Sequence, residues 1–482
     1  MVLSPQTPSG DAIPRPLLRF ARIIRIFEEM KKKEYNFTRT MLSIAIPLTL
    51  QNLLFSSFTL IDTVMVGSLG DLPLAAVGMA GKWSWFLNIV LFGCTSGAAV
   101  FIAQYFGAGD RKGIHRTYGL MSMLSLASGL LFMALALLIP ETIIGVFSRD
   151  PQAIATASVY LRCIAVSYPF QALAKSAATL LQSTQRVVIP FIGAACSVTT
   201  NIVLNALLIF GLCGFPALGV MGAAIASAIA VMVNALVIYL LGFAKKTMLR
   251  APLCEMLDIS RGFVREYVRI GAPAMFNETV WALSILVYSS IFGHMSTEAY
   301  AAITVAKSIE DLSCVAVFGM CSACAVMIGS YVGQGKYEHA KACARYHILL
   351  VTTMSVIIGG SLFFLKEPIM SLFGVSEAVR ADSMAVMMIY GAEMALRNIP
   401  LMLVVGTFRA GGDTKYGLIV DTISAYLIGI PVTAFAGLVL HLSVPATYAI
   451  MYCVEDGLKT IVYGRHFFSN KWIKPVVKQQ GT

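Results

Sequence analysis

The chain has 482 residues, 57% of them apolar and only 13% charged, with a mean hydropathy of +0.77. A water-soluble domain carries about a quarter charged residues, so water alone does not solvate this surface and a soluble globular fold is excluded. The formal net charge of +11 comes from short basic clusters between apolar runs. It lacks the continuous basic stripe with interleaved aromatics that binds nucleic acid.

The first ten residues read as disordered. Leu17–Phe27 is not a signal peptide, because Arg19, Arg22 and Arg25 interrupt its apolar run. With Leu18, Phe20, Ile23, Ile24 and Phe27 these arginines make the pattern of a basic amphipathic helix lying on a membrane surface.

Apolar runs of about twenty residues, the length that crosses a bilayer as a helix, follow along the rest of the chain. They fall near 41–66, 75–103, 117–139, 154–182, 187–211 and 219–243, and again near 264–292, 301–329, 346–365, 380–408, 416–439 and 444–463. Lipid admits only helices or closed barrels, and the strict alternation of a barrel is absent. The expected fold class is all-α, a polytopic membrane protein with twelve transmembrane helices.

Of the 36 Lys and Arg, the odd-numbered loops hold Arg149, Lys366 and Arg380, and the spans hold Lys82, Arg162, Lys175, Lys307 and Arg397. All others are assigned to the termini and the even-numbered loops, Lys459 near the end of the last run among them. The positive-inside bias then places both termini in the cytoplasm. Of the ten cysteines, Cys321 and Cys324 form a CxxC inside an apolar run. With no second pair and no nearby His, they read as packing rather than as a metal or redox site.

The second set of runs repeats the first at an offset of 226 residues. Pro47, Gly67, Ala75–Ala76 and Phe92–Gly93 match Pro273, Gly293, Ala301–Ala302 and Phe318–Gly319. Ser96, Ala99–Val100 and Ile102 match Ser322, Ala325–Val326 and Ile328, and Tyr105, Gly107 and Gly109 match Tyr331, Gly333 and Gly335. An even number of spans per half makes the halves parallel repeats about an axis along the membrane normal, an arrangement common among transporters. The expected organisation is a cytoplasmic segment 1–40, a six-helix bundle 41–243, a basic linker 244–263, a second six-helix bundle 264–463 and a basic tail 464–482, the bundles being pseudo-symmetric.

Several motifs stand in register along this frame. Pro47 with Gln51, Ile61–Gly67 and Leu74–Gly78 resemble the first two helices of the MATE (multidrug and toxic compound extrusion) family. Ala103–Asp110, Gly219–Ser227 and Arg409–Thr414 are similar to later motifs of that family, in its order and spacing from about residue 41 to 465. The resemblance implies two bundles in a V around a central cavity. It also implies export of small organic cations driven by a proton or sodium gradient, in the lipid bilayer of the cell membrane. It brings no cofactor beyond the coupling ion H+ or Na+ and no nucleic-acid partner, and the chain is expected to act as a monomer.

A charge in the bilayer core costs at least about 2.5–3.5 kcal/mol, so acids within spans are functional candidates. Here they are Asp62, Glu278, Glu310, Asp311, Glu393, Asp421, Glu455 and Asp456. Asp62 lies among apolar neighbours, where desolvation makes a carboxylate able to take up and release a proton; the bland alternative is an acid at the outer mouth facing water. In the family resembled, this Asp belongs to the ion-coupling site. Asn201 and Asn205, four apart, share a helix face, and Ser227 matches a position often filled by Thr. Asp62, Asn201, Asn205 and Ser227 are expected to form one polar pocket, with Asp62, Asn201 and Asn205 as oxygen ligands if the ion is Na+. Asn205 stands where the family often has Asp, which leaves sodium versus proton open, and plain interhelical hydrogen bonding remains the other reading of the Asn pair.

The expected substrate cavity takes Gln51, Asn52, Asn277, Glu278, Trp281, Lys307, Glu310 and Asp311. Lys307 faces Glu310 and Asp311 at i+3 and i+4, a trio of net charge −1. With Trp83, Trp85, Trp281 and Tyr288 it would attract a lipophilic cation through charge and ring faces; a closed structural network is the alternative. Glu393 and Arg397, also four apart, read as a structural pair, and Arg409 with Asp413 as setting a loop. Lys175 has no neighbour in sequence to neutralise it, and Asp62 or Glu310 are its candidates.

No P-loop, HExxH, Gly-x-Ser-x-Gly or dinucleotide motif is present, so active transport here is gradient-driven and an enzyme is not expected. An intramembrane enzyme would need convergent His or Cys, whereas five of the six histidines fall near helix ends or in loops and none is expected to pair with an intramembrane Cys. A lipid-linked sugar flippase of the same superfamily is the nearest rival. It would want several basic residues for pyrophosphate, where only Lys82, Lys175 and Lys307 are available.

Overall fold

The computed structural model describes residues 37–371, 373 and 375–477; the surface helix expected at Leu17–Phe27 and the first ten residues lie outside them. The N-terminal half is built from α1 (Phe37–Gly67), α2 (Asp71–Ala108), α3 (Arg111–Leu138), α4 (Pro151–Ala165), α5 (Tyr168–Ser183), α6 (Val188–Phe210) and α7 (Val220–Ala244). The C-terminal half contains α8 (Arg261–Met295), α9 (Thr297–Gly333), α10 (Tyr337–Met370), α11 (Glu377–Gly411), α12 (Thr414–Val439) and α13 (Val444–Ser469). Short helices at Pro140–Gly145 and Leu253–Met256 lie between them. Among the described residues the one β-type pairing is an isolated bridge between Gly412 and Ile473.

The helix ends follow local chemistry. Gly109, at φ 75°, takes the left-handed conformation that ends α2, and the Asp110 carboxylate then caps α3 by accepting from the Gly113 N–H at 2.9 Å. Asp150 caps α4 with Pro151 in its first turn, and Ser260, Ser296 and Ser376 cap α8, α9 and α11.

Ten of these helices are long and apolar enough to cross a membrane, and α4 with α5, bent by 49°, makes an eleventh. The twelfth in the expected order, α13, falls short on apolarity because Glu455, Asp456 and Lys459 lie inside it, all three buried. Lys459 therefore does not belong with the basic tail. It stays in the helix bundle because Glu455 and Asp421 supply its counter-charge at 2.7 and 3.3 Å.

The two halves meet by reciprocal contacts between repeat-equivalent residues. Gly93 packs against Met275 and Gly319 against Thr49, positions exchanged by the 226-residue offset. Gly107 touches the Ser330 backbone, and Gly333 touches that of Gln104, again exchanged by the offset. Ala103 meets its own equivalent, Gly329, which puts that pair on the pseudo-twofold axis. Glycine is required at 107 and 333 because a methyl at either would overlap the opposite backbone.

The seam is reinforced at the even-loop end by the C-terminal tail. The buried Gln104 amide donates to the Ala410 carbonyl at 3.0 Å, and its oxygen accepts from the Val476 N–H at 2.8 Å. Trp472 is fully buried, and Lys474 reaches Asp413 at 2.8 Å. The tail thus ties the turn between α11 and α12 to the N-terminal half.

Gly107→Ala and Gly333→Ala are each expected to destabilise the purified protein by about 1–3 kcal/mol, the usual cost of overpacking. Gly78→Ala, where an added methyl meets nothing, is expected to be neutral or slightly stabilising; thermal melting in detergent compares the three.

Candidate functional site

In the N-terminal half, α1, α6 and α7 bring four expected residues together. The Asn205 amide donates to Asp62 Oδ1 at 2.8 Å and to Asn201 Oδ1 at 3.0 Å, and the Asn201 amide donates to Ser227 Oγ at 3.0 Å. All four side chains are buried, and Tyr160 from α4 lies against Asp62 and Ser227. The i, i+4 spacing is what lets both asparagines face α1 and α7 at once.

With both its amide hydrogens given away, Asn205 keeps its own Oδ1 buried without a partner. A buried acceptor left unmade is costly. A cation, or a proton carried by Asp62, would satisfy it, whereas a bare carboxylate has nothing to offer it. The donor set is all oxygen, from Asp62, Asn201, Asn205 and Ser227, which suits a small hard cation and equally suits a proton on Asp62.

The C-terminal half is wired differently. The repeat-equivalent of Asp62 is Tyr288, whose hydroxyl donates to Glu455. Lys459 holds Glu455 and Asp421, and Asp421 also accepts from the Asn277 amide and the Tyr463 hydroxyl, each at 2.7 Å. Beside this network Glu310, 2% exposed, receives Lys307 at 3.0 Å, Arg397 at 2.8 Å and the hydroxyls of Tyr448 and Tyr452. Lys307 is also 2.9 Å from Asp311, which is largely exposed.

Several expectations need correction. Arg397 does not pair with Glu393; its guanidinium lies over the Tyr452 ring at 4.5 Å and turns to Glu310 on α9. With Arg397 added, the Lys307 trio loses its net −1, because Glu310 is closed within a network. Trp83 packs on Phe132 at 4.7 Å in the N-terminal half rather than with Trp281. Lys175 meets neither Asp62 nor Glu310; its ammonium lies 5.7 Å from the Phe92 ring. Arg409 binds Glu278 at 2.6 Å instead of setting the loop, a role left to Asp413 with His466 and Lys474 at 3.0 and 2.8 Å. His347 does stand beside an intramembrane cysteine, donating from Nδ1 to the Cys343 carbonyl at 2.8 Å and lying 3.5 Å from its sulfur.

The remaining cavity candidates are divided. Gln51 is buried and accepts from the Gln182 amide at 3.2 Å, while Asn52, the next residue on α1, is exposed. A cavity of about 280 Å³ is lined by Tyr288, Lys307, Glu310, Asp311 and Tyr452. A second, of about 140 Å³, is lined by Trp281, Asp421, Glu455, Asp456 and Lys459. Tyr448, Tyr452, Tyr463 and the network role of Lys459 are what sequence reasoning missed, whereas Tyr288 was among the expected cavity residues. The repeat itself carried a signal, since Tyr288 and Asn277 occupy the positions of Asp62 and Gln51 in the second half.

Two pseudo-symmetric sets of membrane-length helices, with ionisable residues buried inside each, define a multi-pass helical transporter. The MatE family model matches twice, at residues 47–207 and 273–435, so each match begins at a repeat proline and the chain belongs to the MATE family. It is 26% identical over 451 residues to "Probable multidrug resistance protein NorM" of Thermotoga maritima, covering 93% of this chain and 96% of that one. It is 28% identical over 415 residues to "Multidrug resistance protein MdtK" of Edwardsiella ictaluri, covering 83% and 88%. Among solved structures, "Crystal structure of MATE in the bent conformation" aligns with a TM-score of 0.82 at 18% identity, covering 91% of this chain and 97% of that one.

Arg397→Met strands Glu310 as a buried carboxylate one cation short. Melting in detergent is expected to show a loss of about 3–5 kcal/mol, partly restored by adding Glu310→Met.

Proposed function

We propose that this chain is a secondary active multidrug exporter, moving organic and mostly cationic compounds outward against entry of H+ or Na+ by alternating access. It acts as a monomer in the cell membrane with both termini cytoplasmic. The observation that carries the reading is the buried Asp62 tied to Asn205, with Asn205 Oδ1 left without a partner. Relatives named for multidrug resistance support the same direction.

The coupling runs through α1. Asp62 lies beyond Pro47 on that helix, and the segment around Thr49 packs against Gly319 in the seam between the halves. Ion or proton uptake at Asp62 changes its bond to Asn205 and so the set of α1 against α6. A shift of α1 is felt at Gly319, where the contact is too tight to slide. With the even loops cytoplasmic, the packed seam is the inner gate and the state is closed to the cytoplasm. Asp311 and Trp281 at the two C-terminal cavities supply charge and a ring face for a lipophilic cation.

Asp62→Asn is expected to abolish gradient-driven efflux of a cationic dye from vesicles while dye binding to the purified protein survives. A proton gradient and a sodium gradient, each imposed alone, identify the ion. Asn205→Asp adds one ligand charge and is expected to shift the preference toward sodium; unchanged ion preference would count against Asn205 as a ligand.

A further inference from the structure

The segment that joins the two halves crosses α3 near its even-loop end, and it turns an apolar edge outward. At Leu253–Met256 it makes a single helical turn, closed by the Leu257 N–H donating to the Leu253 carbonyl at 3.0 Å. One side of that turn is pinned to the protein. Glu255 meets His115 Nδ1 at 2.6 Å, and the Met256 backbone lies so close to Gly119 that a methyl there would overlap it. Leu253 and Leu257, one turn apart, share another side and are 72% and 63% exposed.

The level at which this turn crosses α3 decides what those leucines meet. Arg116 is the last charged residue of α3, and the stretch Leu120–Leu138 carries none. Gly119 lies three residues past Arg116, about 4.5 Å along the axis at the usual helical rise, where that apolar stretch begins. The turn therefore sits where headgroups give way to acyl chains. Exposed bases surround it: Lys245, Lys246 and Arg250 precede it, and Arg261 and Arg265 follow. Over residues 245–265 the acids are Asp258 and Glu255, and Glu255 is taken by His115. Apolar side chains flanked by bases at interface depth are the pattern of a segment that lies in a membrane surface.

We infer that the linker around Leu253–Leu257 is a membrane-surface anchor that binds anionic phospholipid. Leu253 and Leu257 enter the acyl region of the leaflet at the even-loop end, and the flanking bases hold anionic headgroups beside them. A soluble protein partner fits less well, because at that depth it would have to displace the headgroups to reach the leucines. Docked in this way, the linker keeps α3 and the start of α8 together at the bilayer surface, where the Arg116 guanidinium lies over the Phe263 ring at 4.3 Å. The anchor stands apart from the polar sites of both halves and does not rest on the exporter reading.

Leu257→Trp reports the contact in bilayers of phosphatidylcholine mixed with phosphatidylglycerol, after subtraction of the parent chain's signal from its four native tryptophans. Leu253→Trp is a second reporter should the first variant fail to fold. The added tryptophan is expected to be quenched by lipid brominated on its acyl chains and to be shielded from aqueous acrylamide. At equal mole fraction, brominated phosphatidylglycerol is expected to quench it about twofold or more better than brominated phosphatidylcholine. Adding Arg250→Gln and Arg261→Gln removes that preference while quenching by both lipids persists. If those variants fail to fold, sodium chloride at about 1 M, which screens exposed charges, removes the preference in the folded reporter chain instead. Quenching by acrylamide and not by brominated lipid leaves the turn free for a soluble partner and overturns the anchor. Equal quenching by the two brominated lipids, or a preference that survives both charge removal and salt, overturns the anionic-lipid site.

Discussion

Lipid supplies neither hydrogen bonds nor counter-ions, so an ionisable group that keeps its charge inside these spans depends on the protein for both. The two halves meet that demand in different ways. In the N-terminal half one carboxylate is surrounded by neutral amide and hydroxyl groups. In the C-terminal half six acids and three bases are interlaced with tyrosine hydroxyls across α8, α9, α11, α12 and α13. The first arrangement is small enough to change with one proton or ion. The second is held at many points, and removal of any one cation leaves a carboxylate stranded.

The same constraint shapes the seam. With lipid as apolar as the helices, hydrophobic burial does little to hold one half against the other, and close backbone approach takes over. Gly93, Gly97, Gly107, Gly319, Gly329 and Gly333 line that approach. Because the contacts come in repeat-exchanged pairs, a displacement on one side of the axis has its counterpart on the other. The tail adds a strap at the even-loop end through Gln104 and Trp472, where polar groups have partners from both halves.

Departure of the two halves from one another has a chemical sense. The repeat keeps prolines, glycines and the seam, which are needed twice for geometry. It does not keep the ionisable groups: Asp62 becomes Tyr288, and Gln51 becomes Asn277. The fold is thus symmetric along the seam and asymmetric in the ionisable groups it buries.

By itself the sequence determined the twelve-run pattern, the 226-residue repeat and the N-terminal quartet of Asp62, Asn201, Asn205 and Ser227. Run length follows bilayer thickness, a repeat is visible as identity in register, and the two asparagines are neighbours at i, i+4 on one helix. Beyond Lys307 with Glu310 and Asp311, which their spacing on one helix paired, only the tertiary structure decided which charges meet in the C-terminal half. Glu278 finds Arg409 131 residues away, Glu310 finds Tyr448 138 away, and Tyr288 finds Glu455 167 away. Spacing along one helix favoured Glu393 with Arg397, but the rotation of α11 against α9 and α13 gave Arg397 to Glu310. Such rotations are set by packing across helices, where sequence separation carries no information about which faces meet.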